Sequence, residues 1–172
     1  MEKFKRYISE IKDFPNKGIA FKDINPIYKE PNIWHELMSP LHKLVLASKP
    51  DYIAGIEARG FITASALAYS ENIGFIPIRK TNKLPGKVIG VNYQLEYGLD
   101  RLEIQEDLFN KNSKILLIDD LLATGGTASA AGNLINKAGG NLIGYAFLVE
   151  LTHLKGRYNL DDKLVIESVI KY

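Results

Sequence analysis

The stretch Lys114 to Ala130, KILLIDDLLATGGTASA, brings two adjacent carboxylates, a hydroxyl-and-glycine loop and a small-residue helix pattern together. Asp119 and Asp120 follow the apolar run Ile115, Leu116, Leu117 and Ile118, which predicts a central parallel strand ending at the acidic pair. Thr124, Gly125, Gly126 and Thr127 come next. Ala128, Ala131, Leu134, Ile135 and Ala138 then recur at helical spacing up to Gly139 and Gly140. Glycines let backbone N–H groups approach an anion, and a helix N-terminus adds a favourable dipole. The loop therefore suits a phosphate. Carboxylates beside a phosphate repel it unless they hold sugar hydroxyls or a divalent metal, so a polyol or metal subsite is expected beside the loop.

Two common phosphate loops are excluded. A nucleoside-triphosphate loop, G-x-x-x-x-G-K-[ST], needs a Lys on the terminal phosphates, and this loop has none. No G-x-G-x-x-G follows the strand, which excludes a dinucleotide loop. Piece by piece, a capped strand-to-helix turn accounts for the residues. As a whole, the run resembles the phosphoribosyl diphosphate-binding motif of the type I phosphoribosyltransferases. Its Leu-Leu-Ala-Thr-Gly-Gly-Thr portion is similar to that of the adenine-specific branch of that family. The resemblance implies that Asp119 and Asp120 hold the ribose 2′- and 3′-hydroxyls. It also implies that Leu122, Ala123, Thr124, Gly125, Gly126 and Thr127 bind the 5′-phosphate.

Four further segments carry the resemblance along nearly the whole chain. Glu57, Ala58, Arg59 and Gly60 stand between a strand, Tyr52 to Ile56, and a small-residue helix from Phe61 to about Ser70. Alone they read as a capped turn with a surface ion pair. They resemble the family's short diphosphate loop, which implies a cis peptide at Glu57–Ala58 and a grip on the leaving diphosphate by Arg59 and backbone amides. Arg79, Lys80 and Lys83, in IRK-x-x-KLPG, read alone as a solvated basic loop. The resemblance implies that they neutralise diphosphate, in part across a dimer interface. Tyr93 to Gly98 with Leu102 to Ile104 resemble a mobile hairpin lid, placing Glu96 near purine N7 and Tyr97 over the ribose and diphosphate. Asp13 to Pro26 resemble a base-binding hood, in which Ile19, Phe21 and Lys22 stack on adenine and read its edge through the backbone. Lys22 stands where the family often has Arg, and Asn25 where it has Ser or Thr, so any guanidinium contact is lost.

The elements that must position these residues follow from periodicity. Phe4, Tyr7, Ile8, Ile11 and Phe14 predict a helix over 3–14, and Pro31 opens a second helix through Ala47, bent near Pro40. Strands are expected at 52–56, 74–78, 114–118, 142–149 and 163–169, with a hairpin from 88–93 and 102–105. Alternating strands and helices give an α/β fold with a mainly parallel sheet flanked by helices. The resemblance makes it a type I phosphoribosyltransferase-like fold, one domain over 1–172 with the hood inside 1–30.

A chain of 172 residues that is 46% hydrophobic can bury a core. Its net charge of +2 comes from 22 basic and 20 acidic residues and gives no nucleic-acid signature. Cysteine is absent, Met1 to Phe14 is charged throughout, and no apolar run reaches membrane length, so no disulfides, signal peptide or span are expected. His35, His42 and His153 lack ligand spacing. The resemblance implies a cytoplasmic homodimer that converts adenine and phosphoribosyl diphosphate to AMP and diphosphate. Mg²⁺ would be held mainly by the diphosphate, with no nucleic-acid or membrane partner. Another purine base, or a non-catalytic regulator on the same fold, are the alternatives.

Overall fold

The computed structural model describes residues 2–14, 16–94 and 98–172. The chain divides into two compact units, Met1–Pro40 and Leu41–Tyr172. The first holds α1 (Glu2–Lys5), β1 (Ser9–Lys12), β2 (Ala20–Asp23), α2 (Asn25–Tyr28) and the start of α3 (Pro31–Ser48). The helix expected over 3–14 is thus confined to one turn. The chain then becomes a strand, because Ala20–Asp23 returns antiparallel beside it, pairing Ser9 with Asp23 and Lys12 with Ala20. Asp13 adopts φ 57° and Gly18 φ 91°, reversing the chain, and the Gly18 N–H donates to Asp13 Oδ1 at 2.7 Å. Lys22 and its cross-strand partner Glu10 form an ion pair at 2.6 Å, and Phe14 meets Phe21 edge-on at 5.0 Å. Strand pairing overrides a helical apolar period here.

The second unit is built on a seven-stranded sheet. Its elements are β3 (Tyr52–Ile56), α4 (Arg59–Ser70), β4 (Gly74–Lys80), β5 (Val88–Gln94), β6 (Leu99–Gln105), β7 (Lys114–Leu122), α5 (Gly126–Lys137), β8 (Asn141–Glu150) and β9 (Val165–Lys171). The strand order is β5-β6-β4-β3-β7-β8-β9. Strands β4, β3, β7, β8 and β9 run parallel, while β6 pairs antiparallel with β4 and β5. The central strands are apolar on both faces because helices cover them: Ile53, Ala54, Ile115 to Ile118 and Ala146 to Val149 are all buried. Helix α5 buries Ala128, Ala131, Leu134 and Ile135.

One boundary differs from the sequence expectation in a way that shapes the site. Strand β7 does not stop at Ile118. It continues through Asp119 and Asp120 to Leu122, because β8 is long enough to pair with it up to Leu122↔Glu150. Its pairing with β3 ends at Gly55↔Ile118. Beyond that point one edge of β7 is held and the other is open, and the two carboxylates lie in this half-paired extension.

After β8 the chain makes two short 3-10 turns, and Arg157 folds back on Glu150. Its Nε and Nη2 donate to the two carboxylate oxygens at 2.7 and 2.8 Å, and Glu150 is 4% exposed. The Arg157 hydrogen bonds hold the Glu150 carboxyl below its ordinary value of 4.5. The unfolded chain therefore takes up this proton first as pH falls, so the pair's contribution is present above about pH 4.5 and lost below it. Glu150→Gln is expected to cost about 1–3 kcal/mol at pH 7, discounted because the Arg157 side chain is 35% exposed. Denaturant melts from pH 3 to 7 should show the gap from wild type closing as pH drops. A gap constant with pH would show that this pair does not supply the difference.

Candidate active site

Strands β4, β3 and β7 are neighbours and parallel, so the segments following them lie side by side along one edge of the sheet. They bring Arg79 and Lys80 from β4, Glu57 to Gly60 after β3, and Asp119 to Thr127 from β7. The Glu57–Ala58 peptide is cis, as the resemblance implied. Glu57 organises the basic segment: Arg79 Nε donates to its Oε2 at 2.6 Å and the Lys80 N–H to its Oε1 at 3.0 Å. Arg79 Nη1 also donates to the Lys83 carbonyl at 3.0 Å. The cations are therefore not a loose solvated loop.

Arg59, in the first turn of α4, reaches across to β7. Its Nη2 lies 2.6 Å from Asp120 Oδ2. The next residue, Gly60, packs so tightly that an added Cβ would sit 2.4 Å from Asp119 Oδ1. Asp119 Oδ1 accepts the Asp120 N–H at 2.9 Å. Burial pushes the Asp119 carboxyl well above its ordinary 3.8, and the neighbouring Asp120 adds to the rise. Burial also raises Asp120, against the opposing pull of Arg59. The pair thus holds oxygens that accept hydroxyl donors in a desolvated setting, with one guanidinium as counter-charge.

The loop after β7 is fixed from behind. Gly125 takes φ +84° at the N-cap of α5, and a Cβ there would lie 2.2 Å from the Gly156 carbonyl oxygen. Asn159 Nδ2 donates to the Thr124 carbonyl at 2.7 Å. The first N–H groups of α5, at Gly126 and Thr127, have no acceptor within the helix, and a helix start of this kind suits an anion. A cavity of about 310 Å³ adjoins it, lined by Asn92, Tyr93, Gln94, Gly126, Asn133 and Asn159 among others.

Of the residues expected at the site, Glu57, Ala58, Arg59, Arg79, Lys80, Lys83, Asp119, Asp120 and Leu122 to Thr127 belong to this sheet edge. Ile19, Phe21 and Lys22 belong to the first unit, where Lys22 is bound to Glu10. Glu96 and Tyr97 lie outside the described residues. Sequence reasoning missed Asn159 and Asp100, and placed Tyr93 only at the start of the lid, without a contact of its own. None carries a local signal, because each acts on a partner from another element. Among the described residues no group of three His, Cys, Asp or Glu can hold a metal. No described helix is long and apolar enough to cross a membrane.

The profile of the phosphoribosyl transferase domain matches residues 23–170. The adenine phosphoribosyltransferase of Prochlorococcus marinus strain NATL2A is 71% identical over 172 residues, covering all of both chains. The crystal structure of adenine phosphoribosyltransferase from Thermoanaerobacter pseudethanolicus superposes with a TM-score of 0.95 at 44% identity, covering 99% of each chain. That of the Saccharomyces cerevisiae enzyme, complexed with an imino-altritol bisphosphate and adenine, gives 0.90 at 37% identity, covering 98% of this chain and 97% of that one.

Arg59 supplies the charge that opposes the burial of Asp120, and its removal has a definite pH signature. A carboxyl raised above its unfolded value favours the folded state at low pH and loses that advantage as pH rises through the folded value. Arg59→Ala raises the pair further, so its destabilisation, about 1–3 kcal/mol, should be larger at pH 8 than at pH 5. Equal losses at both pH values in denaturant melts would show that Arg59 does not act through the buried carboxylates.

Proposed function

The chain belongs to the phosphoribosyl transferase family, and we propose that it transfers the phosphoribosyl group of phosphoribosyl diphosphate to adenine, giving AMP and diphosphate. The observation that carries the transferase reading is the meeting of three functions on one sheet edge. A guanidinium for a diphosphate, Arg59, touches Asp120, the buried member of a carboxylate pair for a ribose, and that pair runs directly into a helix-terminal loop for a 5′-phosphate. The adenine reading is supported by the named relatives and by the hood and lid motifs.

Each part has one task. The amides of Leu122 to Gly126, with the Thr124 and Thr127 hydroxyls, bind the 5′-phosphate. Asp119 and Asp120 accept the 2′- and 3′-hydroxyl protons in hydrogen bonds and stabilise positive charge on the ribose electrostatically. The bond from C1 to diphosphate breaks, the bond from C1 to adenine N9 forms, and the imidazole ring of adenine gives up its N–H proton. Arg59, the Glu57–Ala58 amides, Arg79, Lys80 and Lys83 receive the diphosphate charge. Ile19, Phe21 and Lys22 take the base, Glu96 orients it and handles its proton, and Tyr97 covers the reacting centre. Asp119 and Asp120 are two carboxylates and not a cage, which fits a Mg²⁺ that arrives on diphosphate oxygens and adds charge neutralisation there. The same reading makes the chain a single catalytic domain, a homodimer and a cytoplasmic enzyme of purine salvage.

Turnover with each purine base, phosphoribosyl diphosphate and Mg²⁺ tests the proposal. Adenine donates from its 6-amino group and accepts at N1, so a backbone C=O and N–H pair matches it. Hypoxanthine and guanine reverse both groups, and each buried mismatch costs roughly 1–3 kcal/mol. Adenine is expected to be preferred at least about a hundredfold in kcat/KM. No AMP from adenine would sink the proposal.

The ribose assignment has its own check. Asp120→Asn is expected to lower kcat/KM by about 2–4 kcal/mol of transition-state stabilisation. Its melting temperature should move far less. A folded variant with wild-type kcat/KM would place the sugar elsewhere.

A further inference from the structure

Strand β6 lies between β4 and β5, and Asp100, near its start, stands directly opposite Tyr93 on β5. On the other side β4 pairs Lys80 with Leu102, so Asp100 is diagonal to Lys80. Its single carboxylate reaches both neighbours. Asp100 Oδ2 is 2.9 Å from Lys80 Nζ and accepts the Tyr93 hydroxyl at 3.3 Å. Asp100 therefore ties a cation assigned to the diphosphate to a phenol of the neighbouring strand, and the two contacts fix its carboxylate from both sides.

We infer that Asp100 is a positioning residue for phosphoribosyl diphosphate, setting the Lys80 ammonium while the Tyr93 phenol holds the carboxylate in place. The inference rests on the proposed function for its ligand, but on the observed contacts for its geometry. An ammonium has three N–H donors, and Asp100 engages one, fixing the direction of the others. The carboxylate is well suited to hold this cation at neutral pH. Burial works against its charge, yet Lys80, the Arg101 amide and Tyr93 together keep the Asp100 carboxyl below its ordinary value. Asp100 makes no contact with the Asp119–Asp120 pair that stabilises ribose charge, so its effect falls on binding.

Titration calorimetry with phosphoribosyl diphosphate and with AMP, each in Mg²⁺ buffer, separates the possibilities. Asp100→Asn is expected to weaken phosphoribosyl diphosphate about fivefold, the scale of a half-exposed ion pair. Asp100→Glu, which keeps the charge, should recover most of that. In a Lys80→Ala background Asp100→Asn should add less than about twofold on phosphoribosyl diphosphate. AMP lacks the diphosphate that Lys80 serves, so Asp100→Asn should leave its affinity within about twofold of wild type. Wild-type affinity for phosphoribosyl diphosphate in Asp100→Asn, or an undiminished fivefold loss in the Lys80→Ala background, overturns the inference. An equal loss of AMP affinity in Asp100→Asn overturns it as well. A wild-type protein that binds phosphoribosyl diphosphate yet forms no AMP from adenine would remove the proposed function, and the titrations would still decide the role of Asp100.

Discussion

Asp120, buried, and Asp119, half-buried, are neighbouring carboxylates in one strand that repel each other and lose water together, and the second unit is arranged around that burden. Burial of an unpaired carboxylate costs several kcal/mol, so a counter-charge must be within reach. The sheet order supplies it. Strand β3 is adjacent to β7 and stops at Ile56, while β7 continues to Leu122. The turn after β3 therefore faces the open edge of β7, and Arg59 in that turn meets Asp120. The following residue has to be glycine because any side chain would collide with Asp119. A second glycine, Gly125, solves a packing problem at the start of α5, where any side chain would meet the Gly156 carbonyl oxygen. The place of Arg59 and the glycine after it are both answers to the same carboxylate pair.

Much of this was legible in the sequence, and the reasons differ by element. Apolar runs gave β3, β4, β7 and β8, and small residues at helical spacing gave α4 and α5, because packing against a sheet imposes those periods. The end of β7 was misplaced since Asp119 and Asp120 look like a strand terminator. Only the length of β8, far along the chain, keeps them in the ladder. The N-terminal hairpin was read as a helix because Phe4, Tyr7, Ile8 and Ile11 fit a helical face, and nothing local announces that Ala20–Asp23 will return beside Ser9–Lys12. Helix α2 was readable and missed: Pro26 sits in its first turn and Asp23 Oδ1 accepts the Asn25 N–H at 3.0 Å.

The site divides along the same line. Asp119, Asp120, Arg59 and the Thr124 to Thr127 loop are contiguous motifs whose chemistry is written in adjacent residues. Asn159 and Asp100 are not. Asn159 holds a carbonyl 35 positions away, and Asp100 meets a lysine brought over by β4. Supporting contacts of this kind depend on sheet order, and sheet order is the least local property of the fold.

Charge placement explains how a chain of net charge +2 serves a polyanion. Three of the cations along the sheet edge are set against a carboxylate: Arg59 with Asp120, Arg79 with Glu57 and Lys80 with Asp100. The pairs differ in exposure, and exposure decides what an arriving anion does to them. Asp120 is 9% exposed in its side chain, so separating it from Arg59 would strand a buried charge. That pair must persist. Lys80 is 54% exposed, and a solvent-facing pair contributes only about 0–1 kcal/mol. Its ammonium can therefore adjust toward a new anion at little cost while Asp100 limits where it goes. Under the proposed function, the buried pair would supply a fixed field and the exposed pair adaptable charge, so that one edge of a nearly neutral protein would hold a highly charged ligand and release it again.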